Sequence, residues 1–447
     1  MKFKIVLALS ISTALFSQDI KTTISEVLST NPIVLERLKN YNATKEDITT
    51  AQAGYYPKLD LSIGVGKEDG EKPLNQEFDY SVYQNSLTLT QNLFKGFETT
   101  SRVKEQENRT IASAYSYIEK VNDTSFKMVN AYIQVMKNRE LLTIQKENVE
   151  INTEIFKKVQ KLYDAGLTTL SEVNKIESSL SLAKSNYVVQ ENTLLDVTYN
   201  LQKVLGRQVE PQSMNKPTLN VALPADIEEA TQFAMQNNPS LLVGKYNIKL
   251  AQAVYQEKKS PFYPSIDLEI SQAMNKNLSG IEGKYENLRA MAYLKYNLFN
   301  GFADEAGLQK SVSSIYQEIE TKNRLGREVT EGLNLSWVAN EKLTTQLEHL
   351  NEYKKFSLQT LTLYSKEYDL GRRSLLDLLS AQNDFIAAKA QIITTEYNML
   401  FAKYRILDAM GTLVSTVLGE TNILYSNVGL NGRAPKNNDT LPISYDE

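Results

Sequence analysis

The sequence repeats itself once over most of its length, and this internal duplication restricts the possible folds more than any other feature. Two motif pairs recur with a separation of 205 positions: Asn92-Leu93-Phe94-Lys95-Gly96-Phe97 with Asn297-Leu298-Phe299-Asn300-Gly301-Phe302, and Tyr163-Asp164-Ala165-Gly166 with Tyr368-Asp369-Leu370-Gly371. A repeat of this length is a whole subdomain rather than one turn of a solenoid. The duplication therefore predicts two fused copies of one structural unit, at residues 19–206 and 225–419.

The composition removes several classes of function. The 447 residues carry a formal charge of -4 with scattered lysine and arginine, so there is no basic field for a nucleic acid. The chain has no cysteine and a single histidine, His349, so disulfides, histidine-rich metal sites and Ser-His-Asp triads each lack a required residue. Pairs among the 53 acidic residues would suit a carboxylate enzyme, but their abundance makes no single pair informative. We predict no enzymatic activity, no metal and no cofactor.

Residues 1–18 have the layout of a secretory signal peptide. Lys2 and Lys4 precede an apolar run from Ile5 to Phe16, and the chain turns polar at Ser17. This order predicts export, with a buried N-terminal helix as the alternative. Beyond this segment there is no run of 18 or more apolar residues, so a position in a membrane would depend on strands.

Four segments alternate between apolar and polar residues, as strands with one apolar face do. In the first segment Leu59, Leu61, Ile63 and Val65 share one face, and Asp60, Ser62, Gly64 and Gly66 share the other. A sheet in a soluble domain is the alternative. The length of the segments and the aromatic residues at their ends favour tilted strands in an outer membrane. The predicted strands are about 57–67, 80–94, 264–274 and 286–299.

The rest of each copy has a helical pattern. Residues 99–163 contain neither proline nor glycine, and at 1.5 Å per residue they make a rod of about 100 Å. Gly166, Gly206, Gly371 and Gly411 predict helix ends, so each rod forms a hairpin with the helix that follows it. A coiled-coil scaffold is the alternative for the helices alone. The predicted helices are about 20–53, 99–163, 168–205, 225–259, 304–368 and 374–410.

Two segments lie outside the repeated pattern. Residues 207–224 contain Pro211, Pro217 and Pro224, which predict a linker between the copies. Residues 420–447 are rich in asparagine, glycine and proline and predict a flexible C-terminal tail.

The residues around the second hairpin turn are candidate functional residues. Tyr368, Arg372, Arg373 and Asp377 lie close together in the sequence, and Glu172 has the equivalent place in the first copy. One interpretation is a helix terminus with solvated charges, since surface ion pairs contribute little. The other interpretation depends on assembly, because three chains around an axis would make Asp377 a ring of like charges that favours cations.

The signal peptide, the duplicated strand-strand-helix-helix order, the Asn-Leu-Phe-x-Gly motifs and the glycine-terminated rods together resemble the TolC family of outer-membrane channels. The resemblance implies a mixed α and β membrane protein and a homotrimer. Each chain would give four strands to a trimeric twelve-stranded β-barrel, and a long α-helical periplasmic tunnel would continue from it. The implied location is the outer membrane of a Gram-negative bacterium.

The resemblance also implies a function and a set of partners. The chain would be the passive exit duct of a tripartite export system, with a periplasmic adaptor and an inner-membrane ABC or proton-driven transporter. Type I protein secretion and efflux of small molecules are both open. The alternative from another class is a periplasmic or surface coiled-coil scaffold without a channel.

The family's gate residues correspond to four positions here. By the resemblance, Tyr368 and Arg373 of the second hairpin bridge to Glu172 and Ser171 of the first and hold the periplasmic end shut. The adaptor is expected to dock at the hairpin tips around Gly166 and Gly371.

Two motifs depart from the family pattern. Asp377 fills the first place of the family's constriction ring of acids, but Ser380 replaces the second acid, so the resemblance does not extend to strong blockade by cations at this ring. Phe97 and Phe302 replace a glycine often found after Asn-Leu-Phe-x-Gly, and we expect them to stiffen the bend between strand and helix.

Overall fold

The computed structural model describes residues 19–72, 76–217, 223–419 and 421–430. The predicted signal peptide lies outside these ranges. The chain divides into two compact units. The sheet unit comprises the described residues of Arg37–Tyr117 and Pro239–Gly326, and the helical unit comprises the described residues of Met1–Glu36, Ile118–Asn238 and Arg327–Glu447.

The elements follow the duplicated order expected from the sequence. The strands are β1 (Lys58–Lys72), β2 (Gln76–Lys95), β3 (Ser265–Lys276) and β4 (Lys284–Lys295). The helices of the described ranges are α1 (Ile20–Thr30), α2 (Pro32–Gln52), α3 (Glu98–Asp164), α4 (Leu170–Leu205), α5 (Ile227–Asn237), α6 (Pro239–Glu257), α7 (Ala303–Asp369), α8 (Leu375–Met410), α9 (Leu413–Leu418) and α10 (Thr421–Ser426). In this part of the chain, none of the helices is apolar over a length that would span a bilayer.

The sheet is antiparallel throughout, with the strand order β1-β2-β3-β4. Its register places apolar residues of adjacent strands on one face, with Leu59 opposite Leu89 and Leu89 opposite Ile270. On β1 this face is 63–71% exposed at Leu59, Leu61, Ile63 and Val65. Among the described residues β1 and β4 each have a partner strand on one side only, so the sheet has two free edges.

The observed strand ends differ from the predicted ones. β1 and β2 continue past the predicted limits because their pairing extends to Lys72 and Gln76. β4 ends at Lys295 and not near residue 299, because the Asn297 side chain accepts a hydrogen bond from the backbone N–H of Phe299 at 3.0 Å. Such a local turn competes with strand pairing.

Both junctions from strand to helix turn through a left-handed pair of residues. Gly96 and Phe97 have φ of 57° and 65°, and Gly301 and Phe302 have φ of 59° and 63°. Gly96 is required, since a Cβ there would lie 2.4 Å from the carbonyl oxygen of Ser260. A phenylalanine at positive φ is strained. The expected stiff bend has a physical basis in these two phenylalanines, each of which packs edge-on against a preceding ring, Phe94 or Phe299.

Each predicted helical region, 20–53 and 225–259, consists of two helices, and in the first region the Asn31-Pro32 pair indicates a break or a helix start at this point. The breaks fall at Asn31 and Asn238, which have extended backbone and each precede a proline. Proline disfavours helical backbone in the residue before it. The two asparagine amides donate equivalent hydrogen bonds, to the carbonyl oxygen of Val204 at 3.0 Å and to that of Ala409 at 2.8 Å.

In the helical unit α3 lies between α4 and α8. Gln190 of α4 donates to Asn138 of α3 at 2.9 Å. Tyr397 of α8 donates to Glu140 of α3 at 2.6 Å. α7 packs against α8 in a buried cluster that includes Leu333, Ile406 and Met410 together with residues of α5. The contact order is therefore α4-α3-α8-α7.

The linker and the start of the tail are more ordered than the sequence suggests. Arg139 of α3 donates to the carbonyl oxygens of Pro211 and Met214, which fixes the linker to the helical unit. In the predicted flexible tail, residues 421–426 form α10, and four apolar side chains are buried: Leu424, Tyr425, Val428 and Leu430. The prediction of flexibility from residue 420 is thus wrong for this segment, because it has its own apolar core contacts. Residues 431–447 lie outside the described ranges.

Candidate functional site

A small apolar cluster brings four helix ends together at the hairpin tips. Its buried members come from α3, α4 and α8, and Tyr368 at the end of α7 packs against them, as do Ile155 and Phe156. Because the cluster joins both hairpins, it positions the polar residues of the two tips side by side. The buried residues are Val159, Val173, Ile176, Leu375 and Leu379.

The two hairpin turns have the same backbone geometry. Gly166 and Gly371 have φ of 72° and 71°, which allows the left-handed cap that ends a helix. Their N–H groups donate to the carbonyl oxygens of Tyr163 and Tyr368 at 2.8 and 2.9 Å. The leucines beside them, Leu167 and Leu370, are 74% and 69% exposed. Each tip therefore presents a capped turn with an apolar side chain in solvent.

Ser171 and Glu172 lie in the first turn of α4. Thr168 donates its hydroxyl to the Glu172 carboxylate at 2.5 Å, and the hydroxyls of Thr169 and Ser171 share a hydrogen bond of 2.7 Å. A carboxylate at this position is also stabilised by the positive end of the helix dipole.

Tyr368 is half-buried against the tip cluster. Burial raises its pKa, and the negative charges of Glu172 and Asp369 act in the same direction. The charge of Glu172 thus acts on Tyr368. Within the described part of the chain, however, no hydrogen bond joins the Tyr368 hydroxyl to Glu172 or Ser171.

Arg373 has partners on its own hairpin. Its Nε donates to the carboxylate of Glu367 at 2.8 Å, and its guanidinium lies 4.3 Å from the centre of the Tyr364 ring. A single chain therefore does not form the predicted contacts of Arg373 with Glu172 and Ser171.

Asp377 closes the first turn of α8. Ser374 donates its hydroxyl to the Asp377 carboxylate at 2.8 Å, and the backbone N–H of Asp377 donates to the Ser374 oxygen at 3.2 Å. This reciprocal cap fixes the carboxylate at the helix start. Ser380, one turn further along, is exposed. Over the described ranges no group of three or more histidine, aspartate and glutamate side chains is arranged to hold a metal ion.

Sequence reasoning missed one residue of the tips. Lys158 of α3 forms an ion pair with Asp369, the last residue of α7, and its ammonium lies 5.8 Å from the centre of the Tyr368 ring. Nothing in the sequence pattern distinguishes Lys158 from the other exposed lysines of this helix.

A duplicated chain with a four-stranded antiparallel sheet and two long helical hairpins has the architecture of an outer-membrane export channel. This chain belongs to the outer membrane efflux protein family, which matches residues 23–207 and 230–412. The predicted family resemblance is confirmed, and with it the outer-membrane location at the level of the family. The family is one of channel proteins, while the absence of catalysis in this chain stays a prediction.

Individual relatives and a solved structure agree with this assignment. The outer membrane efflux protein BepC of Brucella suis biovar 1 is 22% identical over 378 residues, covering 84% of this chain and 81% of BepC. The outer membrane protein TolC of Escherichia coli K12 is 20% identical, covering 86% of this chain and 80% of TolC. A crystal structure of CusC, 16% identical, has a TM-score of 0.79 and covers 88% of this chain and 93% of CusC. The structural similarity confirms the fold, with its helices and four-stranded sheet.

Proposed function

We propose that this chain forms the passive outer-membrane exit duct of a tripartite export system, as a homotrimer. The observation that carries the proposal is the sheet, whose apolar face is exposed along β1 and whose edges β1 and β4 are free among the described residues. An exposed apolar face suits lipid, and strand edges in lipid must be paired. Three copies would close a sheet of twelve strands, with β4 of one copy beside β1 of the next.

The helical unit supports the same assembly. α4 and α7 lie at the two ends of the α4-α3-α8-α7 order, and both leave large apolar side chains exposed. Packing α4 of one copy against α7 of the next would cover these side chains and continue the duct as a helical tunnel. The exposed residues are Leu182, Val188, Val189, Leu195 and Tyr199 on α4, and Leu335, Val338, Phe356, Leu358 and Leu363 on α7.

We propose that Tyr368 and Arg373 form the periplasmic gate with Glu172 and Ser171. The effect of the Glu172 charge on Tyr368 supports this, and Arg373 would exchange Glu367 for the neighbouring acid on assembly. An exposed link is worth about 0 to 1 kcal/mol, but threefold symmetry repeats it. Asp377 would form the ring of acids at the constriction, and with Ser380 in the second place we expect weak binding of cations.

The exposed hairpin tips indicate where a partner protein would dock. We propose that a periplasmic adaptor docks on the turns at Gly166 and Gly371, where Leu167 and Leu370 are exposed, and links the duct to an inner-membrane ABC or proton-driven transporter. Binding that favours the open tips would shift the gate toward the open state. The exported cargo would be a protein if the system is a type I secretion system, and a small molecule if it is an efflux system. Residues 1–18 would direct export and be removed.

Fractionation of cells tests the proposal against the alternative of a coiled-coil scaffold. The duct should sediment with outer membranes, resist extraction by carbonate and crosslink as a trimer. A protein that washes off with carbonate and stays monomeric would favour the scaffold. Crosslinking at the tips, followed by identification of the captured inner-membrane complex, would separate secretion from efflux.

A further inference from the structure

Lys158 connects the two hairpins of one chain at the tips. Its ammonium pairs with the carboxylate of Asp369 and lies over the ring of Tyr368, so it contacts two successive residues at the end of α7. Both partners of the ion pair are about half exposed, at 46% and 49% of their side chains. Ion pairs of this exposure are weak and easily broken. The link is therefore suited to a part that must open.

The helix backbone beneath Lys158 is fixed. Val159, the next residue, is fully buried in the tip cluster, and Phe156 packs against the same cluster. α3 therefore holds the backbone of Lys158 in place. Asp369, which forms the ion pair with Lys158, is the last residue of α7. A movement of the end of α7 away from α3 must break this ion pair.

The duplication does not give a second ion pair equivalent to that of Lys158 with Asp369. The residue equivalent to Lys158 in the second copy is Leu363, which is exposed. The residue equivalent to Asp369 in the first copy is Asp164, which accepts a hydrogen bond from Gln160 of its own helix at 2.9 Å. Asp369 is thus repeated as Asp164, but Lys158 is not repeated, so the link holds α7 to α3 without an equivalent ion pair between Leu363 and Asp164.

We propose that Lys158 is a positioning residue of the gate, holding Tyr368 and the end of α7 in the closed position within each chain. This inference rests on the proposed function. Tyr368 and Arg373 would move outward only when the ion pair of Lys158 with Asp369 breaks. An adaptor that competes for either side chain would then favour opening.

Single-channel recording in planar bilayers tests the inference. Lys158→Glu should increase the open conductance or the open time about two- to fivefold, as expected for a weak link repeated in three copies. Lys158→Met, which keeps the apolar stem, should act in the same direction with a smaller effect. The charge exchange Lys158→Asp with Asp369→Lys should return the channel toward the closed behaviour of the wild type, which a merely structural role of Lys158 would not predict.

Lys157→Glu is the matched control, since Lys157 is exposed, lies one residue earlier and forms no ion pair within the described ranges. Equal conductance of the Lys158→Glu and Lys157→Glu channels would overturn the inference while leaving the channel function intact. A wild-type protein that forms no channels would instead contradict the proposed function. Recovery of each variant in the outer-membrane fraction as a trimer shows that it has folded.

Discussion

Asp408 lies in the last turn of α8, a place that disfavours a negative charge. Burial raises its pKa to about 7, the Asp123 carboxylate acts in the same direction, and Arg405 and Lys127 oppose the shift. The ordinary value for an aspartate is 3.8. Because the pKa is higher in the folded chain, the folded state binds the proton more tightly than the unfolded state. This group therefore lowers the free energy of unfolding as the pH rises from about 4 to about 7.

We expect Asp408→Asn to remove this dependence. Near pH 4 the variant and the wild type should have similar stability, and near pH 8 the variant should be more stable by about 1 to 3 kcal/mol. Thermal unfolding of the detergent-solubilised protein across this pH range measures the difference. Asp384→Asn, at an exposed position of the same helix, is the control. If the difference in stability between the wild type and Asp408→Asn were the same at both pH values, the assigned role of Asp408 would be wrong.

The residues proposed to form the gate give a second prediction at this scale. Tyr368→Phe combined with Arg373→Ser should raise single-channel conductance in planar bilayers, because the contacts proposed to form with Glu172 and Ser171 in the trimer would be lost. Tyr163→Phe with Arg372→Ser changes the same residue types at exposed positions of the tips and serves as the control. Unchanged conductance of the first variant would remove Tyr368 and Arg373 from the gate.

At the scale of elements, the helix breaks at Asn31 and Asn238 show how the two copies hold their short helices. The proline after each asparagine ends the helix locally. The asparagine amide then donates to a carbonyl oxygen at the end of α4 or α8, which has no partner within its own helix. Each short helix is thereby fixed to the long hairpin of its own copy.

Removing this contact should destabilise the helical unit. Asn238→Ala leaves the carbonyl oxygen of Ala409 without its donor, and the loss is expected to be about 1 to 3 kcal/mol. Asn237→Ala is the control, because Asn237 donates within its own helix, to Phe233 at 3.1 Å. Hydrogen exchange at the end of α8 measures the effect. Equal protection in the two variants would show that the contact contributes little.

At the scale of the whole molecule, the alternation along β1 separates a polar face from an apolar face, which the proposed function places in lipid. We expect Leu61→Arg to reduce assembly in the outer membrane, since an arginine on the lipid face costs about 2 to 4 kcal/mol at the bilayer midplane. Ser62→Arg adds the same residue to the opposite face and should assemble normally. The amount of trimer in outer-membrane fractions measures both, and equal amounts would contradict the assignment of the faces.

Local patterns were enough to predict most of the elements. The alternation at Leu59 to Val65 predicted β1, and Gly206 and Gly411 predicted the ends of α4 and α8 at Leu205 and Met410. Errors occurred where a side chain or a neighbour overrides the pattern. Asn297 turns the chain before the predicted end of β4. Residues after 420 looked flexible by composition, but Leu424 and Tyr425 are buried.

The strand alternation and the helix-ending glycines depend on residues near one another in the chain, and the duplication is seen by comparing two segments of the sequence. The sequence alone therefore determined the family and the order of elements. The partners at the tips depend on packing. Lys158 and Asp369 are 211 positions apart, and they meet because the apolar cluster around Val159 brings α3 and α7 together. No local periodicity contains that information, and only the tertiary structure decided it.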